Sequence, residues 1–401
     1  MGWLRRTKSG RGTSQPSSPG AGSARLSVIY GDDSRFDEEE GEFNVFYDAC
    51  EAQLHPWASE NGGLSCPPDI LAQQRKCAME MMKTAGRNLL KGKMNLISVS
   101  MPVKMFEPRS YLEKLTDVWV HTKYLRQAAD TEDPVEQMRL IVAWFISGMQ
   151  FVFLGFKKPF NPILGETWQG VSDSGLRIYV EQISHHPPIS AFEADMPDGS
   201  FVFRGLSEPT ASFSGKTVKT TAKGKRGVYF RDGSCIDITY PAYYLRGVLY
   251  GELRGELGGS AMFVNEKKGL QCEVKFGPYA EGSMKSFESR SDYFEGEIVP
   301  IEPEDHTPRL GESMIISNAS GSWLSHLDWD GKRYWTLAED EPDHFASLPE
   351  GEYVLPSDVR YREDLLLVER GNLDDAQTAK QKLEKLQRHD KKLRKANASD
   401  Q

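Results

Sequence analysis

Two adjacent histidines, His185 and His186, are the residues of this 401-residue chain whose type and setting most clearly indicate chemistry. They end a run at residues 176–184 that alternates apolar and polar residues like a strand, and Pro187 and Pro188 follow. Since proline donates no ladder hydrogen bond, we expect strand pairing to stop here and the backbone to turn both imidazoles toward one ligand. Histidines near their titration range suit a multivalent anion, and a phosphate monoester is the obvious candidate.

Other interpretations of the pair are an ordinary surface or core position and a metal site. Metal binding is disfavoured because Cys235 and Cys272 are isolated, no HExxH occurs, and no carboxylate lies at usual ligand spacing. Residues 214–217, SGKT, end like a nucleotide-binding P-loop, but Thr210 occupies the first glycine position and the run lies between predicted strands. No GxSxG occurs either. We therefore predict neither a metal, nor a nucleotide, nor a catalytic residue.

The full run at residues 181–192, EQISHHPPISAF, closely resembles the fingerprint of the oxysterol-binding protein family of lipid-transfer proteins. This resemblance implies an α+β fold dominated by antiparallel β-structure. A large, near-complete β-barrel would surround a hydrophobic lipid tunnel, with a lid and helices before it and a helical segment at the C-terminus. It also implies a carrier that is not an enzyme and needs no cofactor besides its lipid ligands.

Residues 157–166, KKPFNPILGE, form a second candidate site. Two prolines predict a rigid, non-helical loop, in which Lys158 and Asn161 offer a cation and an amide suited to a phosphate and to sugar hydroxyls. On their own, a surface lysine and a turn asparagine need no such role. The run resembles the family's second signature, whose lysine and asparagine contact a phosphoinositide headgroup.

Residues 374–395 predict a helix with a partial apolar stripe of Leu383, Leu386 and Leu393. Residues spaced four apart share a helix face, and a basic–acidic–basic set has this spacing: Lys380, Glu384 and Arg388. They are either exposed ion pairs or, as the resemblance implies, ligands of a phosphate and an inositol ring.

Together with the resemblance, these segments predict a site for the headgroup of phosphatidylinositol 4-phosphate. Its residues are Lys158, Asn161, His185, His186, Lys380, Glu384 and Arg388. The acyl chains, or a second lipid, would fill the tunnel; sterol is the family's default and phosphatidylserine a known branch. If both lipids share one cavity, a gradient of one drives the other. A sensor that binds lipid without transferring it is the alternative, and a lipid-modifying enzyme lacks a nucleophile–base constellation.

The chain before the predicted domain contains a disordered tail and a short motif. Residues 1–42 are rich in Gly, Ser, Pro and charge, which favours disorder. Residues 43–51 follow an acidic run and resemble the two-phenylalanines-in-an-acidic-tract (FFAT) motif, with Val45 where an acid is preferred. The resemblance implies docking on the MSP domain of VAP receptors of the endoplasmic reticulum; otherwise the two aromatics simply begin the folded domain. The motif residues are Phe46, Tyr47, Asp48, Ala49 and Glu51.

Helices are predicted next. Residues 69–91 form a basic amphipathic pattern that suits either an anionic membrane or an ordinary core, and the resemblance implies a lid region over residues 67–98. The lipid-binding domain is expected over residues 95–396. It opens with helices at residues 111–129 and 134–148, the second begun by Asp133-Pro134. The apolar run at residues 140–156 predicts a buried helix bent near Gly148 rather than a membrane span.

Short strands dominate residues 167–299, including one over residues 243–250. Hairpin turns are predicted at Asp198-Gly199 and Asp232-Gly233, and a later one at Asp330-Gly331. Consecutive hairpins over this length predict an antiparallel sheet that curls and largely closes, with an interior that side chains need not fill.

Composition bounds the cellular setting. The net charge of −9 argues against nucleic-acid binding, and five cysteines without a CxxC are typical of a reducing cytosol. We expect no signal peptide, no N-myristoylation and no pleckstrin-homology domain before residue 95. The chain is thus expected to be a monomeric, cytoplasmic, short form of the family that contacts membranes transiently at endoplasmic-reticulum contact sites.

Overall fold

A curled antiparallel sheet forms most of the molecule. The computed structural model describes residues 52–85, 101–214, 216–277, 290–302, 314–339, 341–349 and 352–399. Within these ranges, 16 strands form one sheet, and β2 and β3 form a separate parallel pair. The strands are β1 (Leu64–Ser65), β2 (Phe106–Ser110), β3 (Lys158–Phe160), β4 (Thr167–Ser172), β5 (Arg177–His185), β6 (Pro188–Asp195), β7 (Phe201–Ser214), β8 (Thr217–Lys223), β9 (Arg226–Phe230), β10 (Cys235–Ile238), β11 (Ala242–Arg246), β12 (Arg254–Asn265), β13 (Leu270–Phe276), β14 (Tyr293–Pro300), β15 (Ser317–Ser322), β16 (His326–Trp329), β17 (Lys332–Thr336) and β18 (Phe345–Ser347).

The sheet curls because its pairing divides at β7 and rejoins at β12. Strand β7 pairs with β9 along its first part and with β8 along its second part. From there, one route runs through β8 and β11 to β12, and the other runs through β9 and β10 to β12. The longer path of the sheet ends at β17 on one side and at β18 on the other. The predicted antiparallel sheet that curls and largely closes is therefore confirmed.

The three predicted hairpin turns are confirmed. They join β6 to β7, β9 to β10 and β16 to β17, and in the last turn Asp330 and Gly331 have φ values of 50° and 80°. The strand predicted over residues 243–250 was too long, since β11 ends at Arg246. Gly247 has a φ of 70°, and a Cβ there would lie 1.8 Å from the carbonyl oxygen of Glu252, so a tight glycine turn replaces the strand.

Helices lie before and after the sheet. The α-helices are α1 (Pro68–Ala85), α2 (Tyr111–Lys114), α3 (Thr122–Asp130), α4 (Pro134–Gly148), α5 (Glu363–Glu369) and α6 (Leu373–Ser399). The 3₁₀ helices are Val103–Met105, Leu115–Val118, Met149–Phe156, Glu266–Lys268 and Val359–Tyr361. Among the described residues, no helix combines the length and apolarity needed to cross a bilayer.

Helix α4 forms the centre of the core. Asp133 caps it by accepting a hydrogen bond from the backbone N–H of Val135 at 2.9 Å, as the start signal predicted. Every side chain from residue 137 to residue 147 except that of Arg139 is buried, which is typical of a helix surrounded by core. The helix ends at Gly148, where a Cβ would lie 2.0 Å from the carbonyl oxygen of Val118, and a 3₁₀ helix continues the chain. The buried helix predicted over residues 140–156 therefore divides at Gly148 into an α-helix and a 3₁₀ helix.

The single helix predicted over residues 111–129 was wrong, because the chain divides into α2, a 3₁₀ turn and α3. Trp119 leaves the helical path and packs on Phe192 and Phe203, with ring centroids 4.9 and 5.1 Å apart. The backbone of Asp343 donates to the carbonyl of Val120 at 2.6 Å. Tertiary contacts thus take up backbone groups that a continuous helix would use.

The start of the described chain also belongs to the sheet. Strand β1 pairs with β12, and Leu64 and Cys66 are buried. Helix α1 begins where the basic amphipathic helix was predicted, and residues 86–100 of the expected lid lie outside the described residues. The predicted disordered tail and the FFAT-like residues Phe46, Tyr47, Asp48, Ala49 and Glu51 also lie outside them.

Candidate functional site

The histidine pair lies at the end of the β5–β6 hairpin. His185 and Pro188 form the last pair of the hairpin, so strand pairing stops at the two histidines as predicted, although Pro188 itself still pairs. His186 and Pro187, joined by a cis peptide bond, form the turn. Pro188 fits because the first residue of a strand can be proline. The two imidazole rings lie edge to face with centroids 4.6 Å apart, and both line the same cavity.

The surroundings of the pair keep both imidazoles neutral at neutral pH. Burial, and then the neighbouring His186, lower the pKa of His185 below 6.5. Burial, and then the positive charge of Lys391, lower the pKa of His186. His185 Nδ1 is buried without a hydrogen-bond partner. A bound multivalent anion would reverse both shifts and supply the missing partner.

The predicted rigid loop at residues 157–166 is held from both ends. Its first part is β3, a strand that the sequence did not predict, paired in parallel with β2. Arg362 donates to the backbone oxygen of Asn161 at 3.0 Å and to Glu166 Oε2 at 2.7 Å. Glu166 in turn accepts the backbone N–H of Ile163 at 3.0 Å. The loop is non-helical as predicted, and Lys158 Nζ donates to Asn161 Oδ1 within it.

Phe106 brings this loop next to α6. The ammonium of Lys158 lies 5.1 Å from the centre of the Phe106 ring and that of Lys380 lies 5.3 Å from it. Lys158 keeps partial solvent contact, but burial of its ammonium, and then the charge of Lys380, lower its pKa to about 7. Glu384 opposes this shift. Two cations are therefore held close together with one carboxylate, a set that favours an added anion.

Helix α6 places Lys380, the first residue of its basic–acidic–basic set, beside Phe106 and close to Lys158. Lys380 is buried and pairs with Glu384 at 2.5 Å, and Glu384 pairs with Arg388 at 3.5 Å, so the predicted shared face is confirmed. Ala376 and Ala379 make the contact with the body, because both are buried. The predicted apolar stripe does not: the exposed fractions of Leu386 and Leu393 are 56% and 52%.

A cavity of about 460 Å³ begins at the loop of residues 157–166 and the histidine pair, and it extends among aromatic side chains. Lys158, Asn161, His185 and His186 line its polar end, which we call the rim. Asn161 and His186 are exposed, so the cavity opens to solvent at the rim. Apolar side chains line the interior, including Trp119, Phe151, Phe153, Phe192 and Phe213. Such a cavity can hold an apolar tail beneath a polar head.

The structure thus brings the predicted site residues together, but only some of them line the cavity. Four of them line the cavity, Lys380 and Glu384 reach Lys158 at its edge, and Arg388 joins through Glu384. Their role in binding a headgroup stays a prediction. Lys391 and Arg394, whose charges act on His185, were not predicted, although they follow Arg388 at successive steps of three residues, which was a usable signal. Among the described residues, no cluster of His, Cys, Asp and Glu could hold a metal ion.

Comparison with known proteins gives the family. Residues 88–401 match the family model described as oxysterol-binding protein. The chain is 34% identical over 342 residues to Oxysterol-binding protein 9 of Dictyostelium discoideum, covering 83% of this chain and 79% of that protein. It is 37% identical over 187 residues to Oxysterol-binding protein-related protein 1 of Mus musculus, covering 46% of this chain and 20% of that protein.

Solved structures share the fold. The Osh3 ORD from Saccharomyces cerevisiae, crystallised in complex with PI(4)P, has a TM-score of 0.61 at 24% identity, covering 84% of this chain and 88% of that chain. The Osh1 ORD in complex with cholesterol has a TM-score of 0.59 at 21% identity, covering 82% and 89%. The fold, the extent of the family match and the identity to the Dictyostelium relative agree, and this chain belongs to the oxysterol-binding protein family.

Proposed function

We propose that the protein is a lipid-transfer protein that binds phosphatidylinositol 4-phosphate and exchanges it for a sterol or another lipid between membranes. The observation that carries this proposal is the rim of cations and imidazoles at the open end of an apolar cavity. The rim and the adjoining residues of α6, Lys380, Glu384 and Arg388, would hold the phosphate and inositol hydroxyls. The acyl chains would enter the cavity.

The energetics favour a carrier. Burying a lipid's apolar surface yields about 25 cal/mol per Å² relative to water, but a bilayer offers nearly the same environment. The net gain from the tail is therefore small, and the polar contacts at the rim decide the affinity. A protein built this way releases its lipid as readily as it takes it up. Structural relatives crystallised with PI(4)P and with cholesterol support two lipids competing for one cavity.

The histidine pair tests the headgroup assignment. The delipidated protein is incubated with liposomes of mixed lipids, reisolated and analysed for bound lipid by mass spectrometry. We expect His185→Ala/His186→Ala to recover at least about tenfold less phosphatidylinositol 4-phosphate, since charge-assisted hydrogen bonds contribute about 1.5–3 kcal/mol. His344→Ala is the control, because this histidine is exposed and pairs with Asp173 outside the cavity lining. Unchanged recovery in the double variant would remove the assignment.

Transfer is measured separately between donor and acceptor vesicles with fluorescent sensors for each lipid. The proposal expects that phosphatidylinositol 4-phosphate placed in the acceptor accelerates sterol movement from the donor. Saturable binding without transfer would instead indicate a lipid sensor.

We also propose that residues 43–51 dock the protein on a VAP-type receptor of the endoplasmic reticulum, and so place it at membrane contact sites. The aromatic residues that follow an acidic run support this. Docking on a receptor also suits a protein that must contact two membranes to exchange lipids between them. Phe46→Ala/Tyr47→Ala should abolish binding of the full chain to an isolated MSP domain while lipid binding persists. Equal binding of this variant and the unaltered chain would refute the docking proposal.

A further inference from the structure

A buried arginine lines the cavity away from the rim. Arg226, at the first position of β9, is 5% exposed. Its Nη2 donates to the carbonyls of Ala222 and Lys223 at 3.0 and 2.7 Å, and its Nε donates to Gly224 at 3.4 Å. The guanidinium also lies 4.5 Å from the centre of the Tyr240 ring. These contacts fix the side chain, but none of them neutralises its charge.

Among the described residues, Arg226 forms no ion pair with a carboxylate. Arginine stays charged at any physiological pH, and a charge removed from water costs free energy unless it is paired. The backbone carbonyls offset only part of this cost. A cavity that serves neutral tails alone would gain from an apolar residue at this position. The arginine therefore points to a ligand that brings an acceptor with it.

Phenolic side chains surround the same point. Tyr111, Tyr240 and Tyr243 line the cavity together with Arg226, and Tyr111 shares a 3.0 Å hydrogen bond with Ser207. Burial raises the pKa of each of these three phenols, so they remain protonated and able to donate. We call Arg226, Tyr111, Ser207, Tyr240 and Tyr243 the arginine cluster. Its chemistry is rich in donors, because a guanidinium has five N–H groups and no acceptor.

The arginine cluster is separate from the rim. Arg226 pairs with Gly205 of β7, which pairs with Phe192 of β6, four residues beyond the Pro188 that pairs with His185. Four residues correspond to about 13 Å along a strand, and the steps from β5 to β9 add about 14 Å across the sheet. A Cβ at Gly205 would lie 2.4 Å from the Cβ of Arg226, so the glycine allows this close approach. A ligand could engage either end by itself.

We propose that the arginine cluster is a second lipid site, which takes the carboxylate of a long-chain fatty acid that enters head first. A carboxylate only accepts hydrogen bonds and matches the guanidinium fork with two parallel bonds. A lipid drawn from a membrane through the rim presents its head to the protein first. A small head can continue to the far end, whereas a phosphoinositide head is too large and too polar to leave the rim. The tail then fills the apolar interior behind the carboxylate.

The test compares lipids of one tail length on the delipidated full chain. Palmitate, 1-hexadecanol and methyl palmitate are titrated by calorimetry, and the carboxyl of [1-¹³C]palmitate is followed by NMR over a pH series. We expect palmitate to bind at least about tenfold more tightly than the alcohol or the ester, because only it forms the charged pair. We also expect the bound carboxyl to stay ionised at a lower pH than in palmitate vesicles. Equal affinities, or a carboxyl that titrates as in vesicles, would overturn the proposal.

Arg226→Met should lower palmitate affinity at least about tenfold and remove the preference over hexadecanol. The matched control is Arg204→Met, since Arg204 also stacks on a tyrosine, Tyr229, at 4.4 Å, but its side chain is 53% exposed and outside the cavity lining. Equal palmitate affinity in the Arg226 variant and the unaltered chain would overturn the proposal. His185→Ala/His186→Ala should keep palmitate binding, which separates this site from the phosphoinositide site. Should Arg226→Met not fold, the comparison of lipids on the unaltered chain decides.

Discussion

At the scale of single residues, the rim contains basic groups that are largely neutral in the free protein and whose protonation a bound anion would favour. Lys158 and the histidines sit where burial and neighbouring cations disfavour their charged forms. A phosphate that binds there restores those charges and takes up protons in doing so. Binding and protonation are therefore linked.

This linkage predicts how phosphatidylinositol 4-phosphate affinity depends on pH. Below about pH 7, Lys158 is already charged in the free protein, so binding takes up no proton at this lysine. Above that pH the free amine is neutral, so binding must add a proton, and the affinity should fall by up to about tenfold per pH unit from pH 7 to pH 9. Phosphate monoesters are dianionic across this range, with a second pKa of about 6, so the ligand does not contribute. Liposome co-sedimentation at constant ionic strength measures the effect.

Lys158→Met supplies the matching variant. It should bind the lipid weakly with little pH dependence between pH 7 and pH 9. Lys332→Met, which changes an exposed lysine of β17, should keep the full dependence. Folding lowers the pKa of Lys158 from 10.5 to about 7, so its charged form opposes folding, and stability rises as pH rises through this window. The free Lys158→Met protein should therefore have a higher melting temperature at pH 7. A lower melting temperature would show that the lysine stabilises the fold.

At the scale of elements, short helices hold the site by buried pairs and caps. Arg362, immediately before α5, joins Glu166 at 2.7 Å and Asp364 at 2.8 Å, and all three side chains are less than 10% exposed. The same arginine contacts the loop that carries Lys158 and Asn161. The positions of the rim residues thus depend on a helix that does not itself line the cavity.

Arg362→Met should cost about 3–5 kcal/mol of unfolding free energy, because it leaves two buried carboxylates without their cationic partner. Urea unfolding measures this loss, and phosphatidylinositol 4-phosphate affinity should fall with it because the loop is released. Arg370→Met, at the exposed end of α5, is the control and should change stability by less than about 0.5 kcal/mol. If both variants unfold at the same urea concentration, the pairs of Arg362 do not hold the loop.

The cap of α4 is a second test at this scale. Asp133→Ala removes the acceptor for the N–H of Val135 and should cost about 1 kcal/mol. Asp133→Asn keeps a capping oxygen and should retain most of that stability, as measured by chemical denaturation. Equal losses in the two variants would indicate that the charge rather than the cap matters.

At the scale of the whole molecule, the folded body begins before the segment that the family match covers. Residues 52–66 contribute β1, and the backbone N–H of His55 donates to the carbonyl of Leu324 at 2.9 Å. A Cβ at Gly62 would lie 2.0 Å from the backbone nitrogen of Ser291, which shows how closely this segment packs. The N-terminal segment therefore joins strands that are distant in the sequence.

A chain that starts at residue 67 should lose at least about 3 kcal/mol of unfolding free energy, because it gives up the burial of Leu64 and Cys66 and the pairing with β12. A chain that starts at residue 52 keeps all of these contacts and is the control. Urea unfolding of the two shortened chains and the full chain measures the difference. Equal stability of all three would show that the segment rests on the body without stabilising it.

The sequence by itself determined the features that depend on short-range chemistry. Asp133-Pro134 began α4, the Asp-Gly pairs formed their turns, and residues spaced four apart on α6 formed ion pairs, because capping, turn geometry and helix spacing act within a few residues. The family fingerprints carried the fold, since a long matched motif reports a whole architecture.

Only the tertiary structure decided which distant segments meet. It divided the helix predicted over residues 111–129 near Trp119 and placed Arg226 on the wall of the cavity. It also buried Lys380 of α6 while leaving Leu386 and Leu393 exposed. It also lowered the pKa of Lys158, first through burial and then through the charge of Lys380, which lies more than 200 residues away in the chain. Burial and electrostatic coupling depend on three-dimensional neighbours, and a local pattern of residues does not contain them.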